Sequence, residues 1–345
     1  MIINQKGIIM KLNINANINK AILFGALSLS MITTPLLAQD ANKQFKIGAA
    51  VYGLKNEYAQ LWAKAIQLHP AVINKQIKLT VFDGRYDHMT QDSQFDTMIT
   101  QKFDAAIYIA IDSNAGAQVI KKATEAGLPV VASNGPVNSD LVLSFVGSDD
   151  VVAGETAARA VLDAMGGKGN VVIIEGPVGQ MGPVLRGRGI AQALAAYPDI
   201  KVLEQKTANW SREEALNLMQ NWLTAHRGQI NGVIAQNDEM ALGAISALKA
   251  MQIDLKNVPI AGIDGISDAI RAVNRGEMIL TMRQDADAQA QGAMDVALGY
   301  LIGKSYIPQA AIWEKEMIWG DGTNKLYDVP WTKITKDNAE QFLKR

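Results

Sequence analysis

The chain contains no cysteine. That excludes disulfides, thiolate metal sites, cysteine nucleophiles and a lipid-modified N-terminal cysteine. Histidine is nearly absent too: His69, His88 and His226 lie far apart in sequence, so a His-rich metal site is not expected. Charge of one sign is lacking, since 33 Lys+Arg stand against 34 Asp+Glu for a net charge of −1, which gives no electrostatic footprint for nucleic acid. Catalytic signatures are missing as well. There is no G-x-x-x-x-G-K-[ST] phosphate loop, no H-E-x-x-H and no G-x-S-x-G elbow. Tyr52-Gly53-Leu54 follows the first apolar run where a dinucleotide-binding fold would need G-x-G-x-x-G. No cofactor, no metal and no enzymatic activity are expected.

What is present is a packed globular chain with a leader. Its 345 residues are 48% hydrophobic, enough for two or three domains with their own cores. Residues 1–20 carry Lys6, Lys11 and Lys20 and no acid, and 21–38 (AILFGALSLSMITTPLLA) are apolar and end in a small residue. This is the pattern of a secretory signal peptide, residues 1–38, cleaved near Ala38. Met10 followed by Lys11 is an alternative start to Met1. Pro35 and the short apolar run argue against a membrane anchor. No later stretch approaches the ~20 apolar residues that span a bilayer, so a periplasmic protein without membrane insertion is expected.

From Phe45 onward, β-branched apolar runs alternate with stretches of helical periodicity. Strands are expected at 45–52, 77–82, 105–111, 128–133 and 141–146, then at 170–176, 201–207, 232–236, 258–264 and 280–283, with helices between them. Gly127 suits a left-handed helix C-cap, and Ser211 with Glu214 reads as a capping box. Continuous apolar strands flanked by amphipathic helices imply parallel sheets covered on both faces. So many strands divide better into two doubly wound α/β lobes than into one sheet, with the first crossover at Gly147–Asp150.

In such folds ligands bind beyond the carboxyl ends of the strands. Reading off those positions gives Tyr52, Asn56–Tyr58, Asp83-Gly84-Arg85, Asp112-Ser113-Asn114 and Ser133-Asn134-Gly135 in the first half. In the second half they are Gly179–Arg186, Asn209-Trp210, Gln236-Asn237-Asp238 and Asp264-Gly265. Amides, carboxylates, one arginine and aromatics suit a neutral polyhydroxylated ligand, because paired hydroxyls donate and accept together and an aromatic face covers a ring's C–H face. Each residue also has a purely structural use. Asn, Asp and Gly are ordinary turn formers, Trp210 before Ser211 fits a hydrophobic staple, and Asp238 fits an N-cap. The acid pairs Asp149-Asp150 and Glu213-Glu214 at helix starts complement the helix dipole.

AQNDEMALGAISAL (235–248), AGIDG (261–265) and LNLMQNWLTAH (216–226) closely resemble the ribose-binding branch of periplasmic sugar-binding proteins. The resemblance covers roughly residues 45–318. It implies a receptor for an inner-membrane ABC permease, with two lobes, three hinge crossovers and the ligand in the interlobe cleft; a monomer is expected. The crossovers are implied near 148, 284 and 313, giving an N-terminal lobe of 45–148 plus 285–313 and a C-terminal lobe of 149–284 plus 314–345. Carried over by position, it implies that Tyr52, Asn56, Tyr58, Arg186, Trp210, Asn237, Asp264 and the hinge residue Gln284 contact the sugar. Two departures stand out. Ribose binders carry Asp-Arg where this chain has Asn134-Gly135, and a stacking Phe where it has Ala59. Asn134 stays in the candidate site, and Arg85 and Asp112 are the candidates to replace the lost charge. Unpaired hydroxyls cost affinity, so a hexose or a cyclitol such as myo-inositol is favoured over ribose. A sensing receptor for chemotaxis or a sensor kinase is the alternative. The tail 320–345 is expected to end in a helix from Thr335 and to brace the second lobe.

Overall fold

The computed structural model describes residues 44–314 and 317–343. The signal-peptide expectation therefore falls outside the described residues. The first half alternates β1 (Phe45–Val51), α1 (Glu57–Gln67), α2 (Pro70–Ile73), β2 (Ile77–Asp83), α3 (His88–Thr100), β3 (Ala105–Tyr108), α4 (Ser113–Glu125), β4 (Val130–Ser133) and β5 (Phe145–Gly147). The second continues with α5 (Asp150–Ala164), β6 (Lys168–Glu175), α6 (Met181–Leu194), β7 (Asp199–Thr207), α7 (Arg212–Ala225), β8 (Gly232–Ala235), α8 (Asp238–Ala250), β9 (Ile260–Asp264), α9 (Ser267–Asn274) and β10 (Leu280–Arg283). The long α10 (Ala286–Ile302), β11 (Leu326–Asp328), β12 (Thr332–Thr335) and α11 (Ala339–Leu343) complete the chain.

Two six-stranded sheets result, in the orders β11-β5-β4-β3-β1-β2 and β12-β10-β9-β8-β6-β7. Every pairing is parallel except β12 on β10. β3, β4, β8 and β9 are buried at every position, as strands with helices on both faces must be. Both sheets share one doubly wound order, with a switch point beside β1 in the first and beside β6 in the second. Local chemistry fixes where each loop turns. Asn56, Asp112 and Asn237 follow strands closely and cap the next helix by accepting its first free N–H groups. Asp149 does the same for α5. Gly127 stands just past α4 at φ +76°, the left-handed conformation expected there. The capping box is half formed. Ser211 accepts the Glu214 N–H at 3.2 Å, but the Glu214 carboxylate takes Asn209 instead.

The expected third crossing near 313 is corrected by the strand pairing. β11 is still part of the first sheet, with Tyr327 opposite Val146, so the passage to the second sheet falls between Asp328 and Thr332. Side chains of α10 hold the intervening segment on the first half. Asp295 accepts from His69 Nε2 at 3.1 Å, Trp313 Nε1 at 2.6 Å, the backbone of Gln309 and Ala310, and the Tyr306 hydroxyl. Burial pushes the Asp295 carboxyl up, and His69 and the other donors outweigh that and hold it low. Trp313, Trp319 and Tyr327 pack their rings together beside it. The tail does brace the second half: β12 pairs with β10, and α11 packs on α9, but α11 begins at Ala339 because Thr335 ends a strand.

Candidate functional site

The carboxyl ends of both sheets face one shared cavity. Nine expected residues line it: Tyr52, Asn56, Tyr58, Asn134, Arg186, Trp210, Asn237, Asp264 and Gln284. Ile109, Ser113, Gly135, Asp150, Gln180 and Met181 line it as well. Arg85 and Asp112 do not, which corrects the expectation that they supply the missing charge. Arg85 is exposed in a left-handed turn at φ +54°. Asp112 caps α4 and faces Gly179 across the cleft. Ala59 is fully buried in the first core.

Arg186 is the centre of the site. It is 5% exposed and sits on α6. Its Nε donates to Asp150 Oδ1 at 2.7 Å, one terminal nitrogen donates to the Gln236 carbonyl at 2.5 Å, and that nitrogen lies 3.7 Å from Asp264 Oδ1. The indole of Trp210 lies 5.4 Å from the guanidinium and that of Trp331 lies 5.9 Å away. Burial opposes the charge on Arg186, but Asp150 and Asp264 more than offset it and raise its pKa. Burial raises Asp150 despite its arginine. Burial likewise raises Asp264, and Arg186 and Gln284 only partly counter it. Asp264 also holds φ +127°, a backbone conformation of the kind found at ligand clamps.

A chain of hydrogen bonds carries this centre across the crossover into the first half. Gln284 Nε2 donates to Asp264 Oδ1 at 2.8 Å, and Asn134 Nδ2 donates to Gln284 Oε1 at 2.9 Å. Tyr58 donates to Gln289 Oε1 at 2.6 Å, and Gln289 Nε2 reaches Ser148 at 3.0 Å. Burial pushes both cavity tyrosines, Tyr52 and Tyr58, far above the ordinary range, so they stay neutral donors. Asn56 caps α1 with Oδ1 and donates Nδ2 to Tyr86 at 2.9 Å, and Asn237 caps α8. The structural and ligand-facing roles of these asparagines are thus combined in one side chain.

Three members lie outside the positions that the sequence singles out: Asp150, Tyr86 and Gln289. From sequence, Asp150 suits a helix-dipole acid. Its neighbour Asp149 does that work, accepting the Val151 N–H at 2.9 Å, while Asp150 turns inward to Arg186. Among the described residues no cluster of His, Cys, Asp or Glu is arranged to hold a metal ion, and no helix is long and apolar enough to cross a membrane.

The periplasmic binding protein domain family matches residues 47–305. A xylitol-binding protein of Mycolicibacterium smegmatis is 35% identical over 336 residues, 95% of this chain and 88% of that protein. A ribose import binding protein of Bacillus subtilis is 30% identical, over 76% of this chain and 83% of its own length. An ABC transporter solute-binding protein of Bacillus halodurans with bound myo-inositol superposes at a TM-score of 0.78 and 27% identity, covering 87% of this chain and 98% of that one. With two doubly wound sheets, a shared cavity at their carboxyl ends and relatives of this kind, the chain belongs to the periplasmic binding protein family, in its ribose-binding branch of solute receptors.

Proposed function

We propose that this receptor binds a neutral ring polyol, a cyclitol or hexose in preference to ribose, between its two halves and delivers it to an inner-membrane ABC permease. The family is one of transport receptors, not enzymes. One observation carries the ligand reading. The shared cavity is lined by Asn56, Asn134, Asn237, Gln284 and Asp264, with Tyr52, Tyr58 and Trp210 as aromatic walls. Amides, which donate and accept, and a carboxylate, which accepts, match vicinal hydroxyls, and the rings match C–H faces. A Cβ added at Gly135 would meet nothing within 4 Å, so the wall that carries an arginine in ribose binders is open here, which supports a ligand wider than a pentose.

The cavity measures about 40 Å³, room for about three waters. A ring ligand therefore needs the halves to part and close again around it, which is hinge motion. The binding energy that drives closure comes from contacts made only when both halves touch the ligand. The N-terminal 38 residues are read as the export signal, so the mature receptor begins at Gln39.

A thermal-shift screen of the mature chain against pentoses, hexoses, pentitols and inositols tests this. At 1,000 times the dissociation constant, a ligand stabilises the fold by about 4 kcal/mol, a rise of several degrees in Tm. The expected hit is an inositol or a hexose, lost in Asp264→Asn and in Arg186→Lys. A shift with ribose alone overturns the preference for the wider ring, and no shift with any member overturns the polyol reading.

A further inference from the structure

The inner cavity is not the whole cleft. A second cavity of about 580 Å³ adjoins it and shares Asn56, Gln180 and Trp210 with it. Both halves contribute walls: Lys55, Tyr86 and Ile111 from the first, and Pro177, Val178 and Glu213 from the second. Ile111, Pro177, Val178 and the Trp210 ring make part of this wall apolar, unlike the amide-rich inner cavity.

The junction between the two cavities is asymmetric in its hydrogen bonding. Gln180 occupies the N-cap position of α6 but makes no side-chain cap bond. It is 9% exposed, and its Oε1 accepts the Trp210 indole N–H at 2.7 Å. An indole nitrogen only donates, so the amide orientation is fixed with Nε2 on the other side. That Nε2 is buried and has no partner among the described residues. A buried donor without an acceptor costs free energy that a ligand atom can recover. Trp210 cannot drift to relieve it, because its ring lies against Gly176 where a Cβ would collide. Met181 and Gly182, the uncapped first turn of α6, line the inner cavity beside Gln180 and add main-chain donors.

A free hydroxyl placed there would bring its own hydrogen and require an acceptor as well. An ether oxygen only accepts. The ring oxygen of a hexose stays within the inner cavity, whereas an exocyclic ether oxygen carries a second carbon that must leave it, and Gln180, which lines both cavities, marks the way into the outer one. We infer that the cleft takes a ring polyol bearing one O-linked substituent, with the ring in the inner cavity, the ether oxygen at Gln180 and the substituent in the outer cavity. This deepens the polyol reading above and rests on it.

Isothermal titration of the mature chain with matched pairs tests the inference. The parents are myo-inositol and D-allose; the derivatives are the mono-O-methyl-myo-inositols, a galactosyl-myo-inositol and the methyl allopyranosides. At least one derivative is expected to bind within threefold of its parent, or tighter. Gln180 also lines the inner cavity, so Gln180→Ala should weaken both, and that derivative at least tenfold more than its parent. Val178→Trp places a large ring in the outer cavity at a site 90% exposed and away from the inner lining, and should weaken only the derivative. That second variant keeps the test decisive should Gln180→Ala not fold. If a parent binds while every derivative is at least 30-fold weaker, the inference falls and the polyol reading stands. If Gln180→Ala weakens parent and derivative equally, the ether assignment falls. If neither parents nor derivatives bind, the polyol reading itself falls, and the inference with it.

Discussion

Among single residues, Asp238 is the most unevenly satisfied. Its Oδ2 accepts from the Gly265 and Ile266 N–H groups at 2.7 and 3.0 Å and from Thr281 at 2.9 Å, while its Oδ1 is buried and has no partner among the described residues. Burial, with Asp264 nearby, raises its pKa above the ordinary carboxylate range. A carboxyl with a raised pKa in the folded state binds its proton more tightly than in the unfolded chain. Its contribution is therefore fully present below about pH 4 and is lost as pH rises through the higher folded value. Asp238→Asn does not titrate. The Tm of the wild type minus that of Asp238→Asn should thus be greatest near pH 4 and shrink steadily toward neutral pH, read by circular dichroism melts. A difference that is flat, or that grows with pH, would count against this assignment. The same residue-scale logic explains what was legible beforehand. Strand-end polar residues could be enumerated from the sequence because doubly wound folds put ligands there. Which of them turn inward could not, since Asp149 and Asp150 are identical in type and adjacent, and only packing against α6 distinguishes them.

At the scale of elements, the position of Arg186 depends on how closely α5 and α6 approach. A Cβ on Gly154 would run into the backbone of Arg186, and one on Gly189 would run into the backbone of Val151 and Glu155. The two glycines let the helices touch main chain to main chain, which brings Arg186 onto Asp150 at 2.7 Å. Gly154→Ala must push the helices apart. Overpacking of this kind costs about 1–3 kcal/mol, so Tm should fall by several degrees. Ligand affinity should fall at least tenfold, because the guanidinium moves with its helix. Loss of stability with affinity unchanged would show that Arg186 is placed by its ion pair rather than by the helix contact. Most strand positions were readable from apolar β-branched runs. The short edge strands were not. β11 has three residues with only Tyr327 buried, and β12 has four with only Ile334 buried, too few to show alternation. The C-terminal segment was consequently expected to leave the first half too early.

For the whole molecule, the halves are held together across the cleft by main-chain contacts as well as through the site. The Ser113 N–H donates to the Gly179 carbonyl at 3.0 Å, and the Ser267 N–H donates to Glu57 Oε1 at 2.9 Å. The second contact joins two helix starts. α9 has no side-chain cap of its own, and Glu57, in the first turn of α1 on the opposite half, supplies one. A carboxylate at a helix N-terminus is favourable, and this one can act only when the halves are closed. Glu57 is not part of the cavity lining. Glu57→Ala should therefore leave ligand contacts intact and lower the closed population, weakening apparent affinity by severalfold through a faster off-rate. Titration calorimetry with stopped-flow fluorescence separates the two, and an unchanged off-rate would remove Glu57 from the closing mechanism.

The final stretch of chain stitches both sheets, with β11 on the edge of the first and β12 on the edge of the second. β1 opens the first sheet at Phe45, yet that sheet is not complete until Asp328 has been made. Synthesis runs from the N-terminus, and structure dominated by such distant pairings forms slowly. Neither sheet gains its last edge strand until residues 326–335 have emerged, so the two acquire these edges together, late in synthesis.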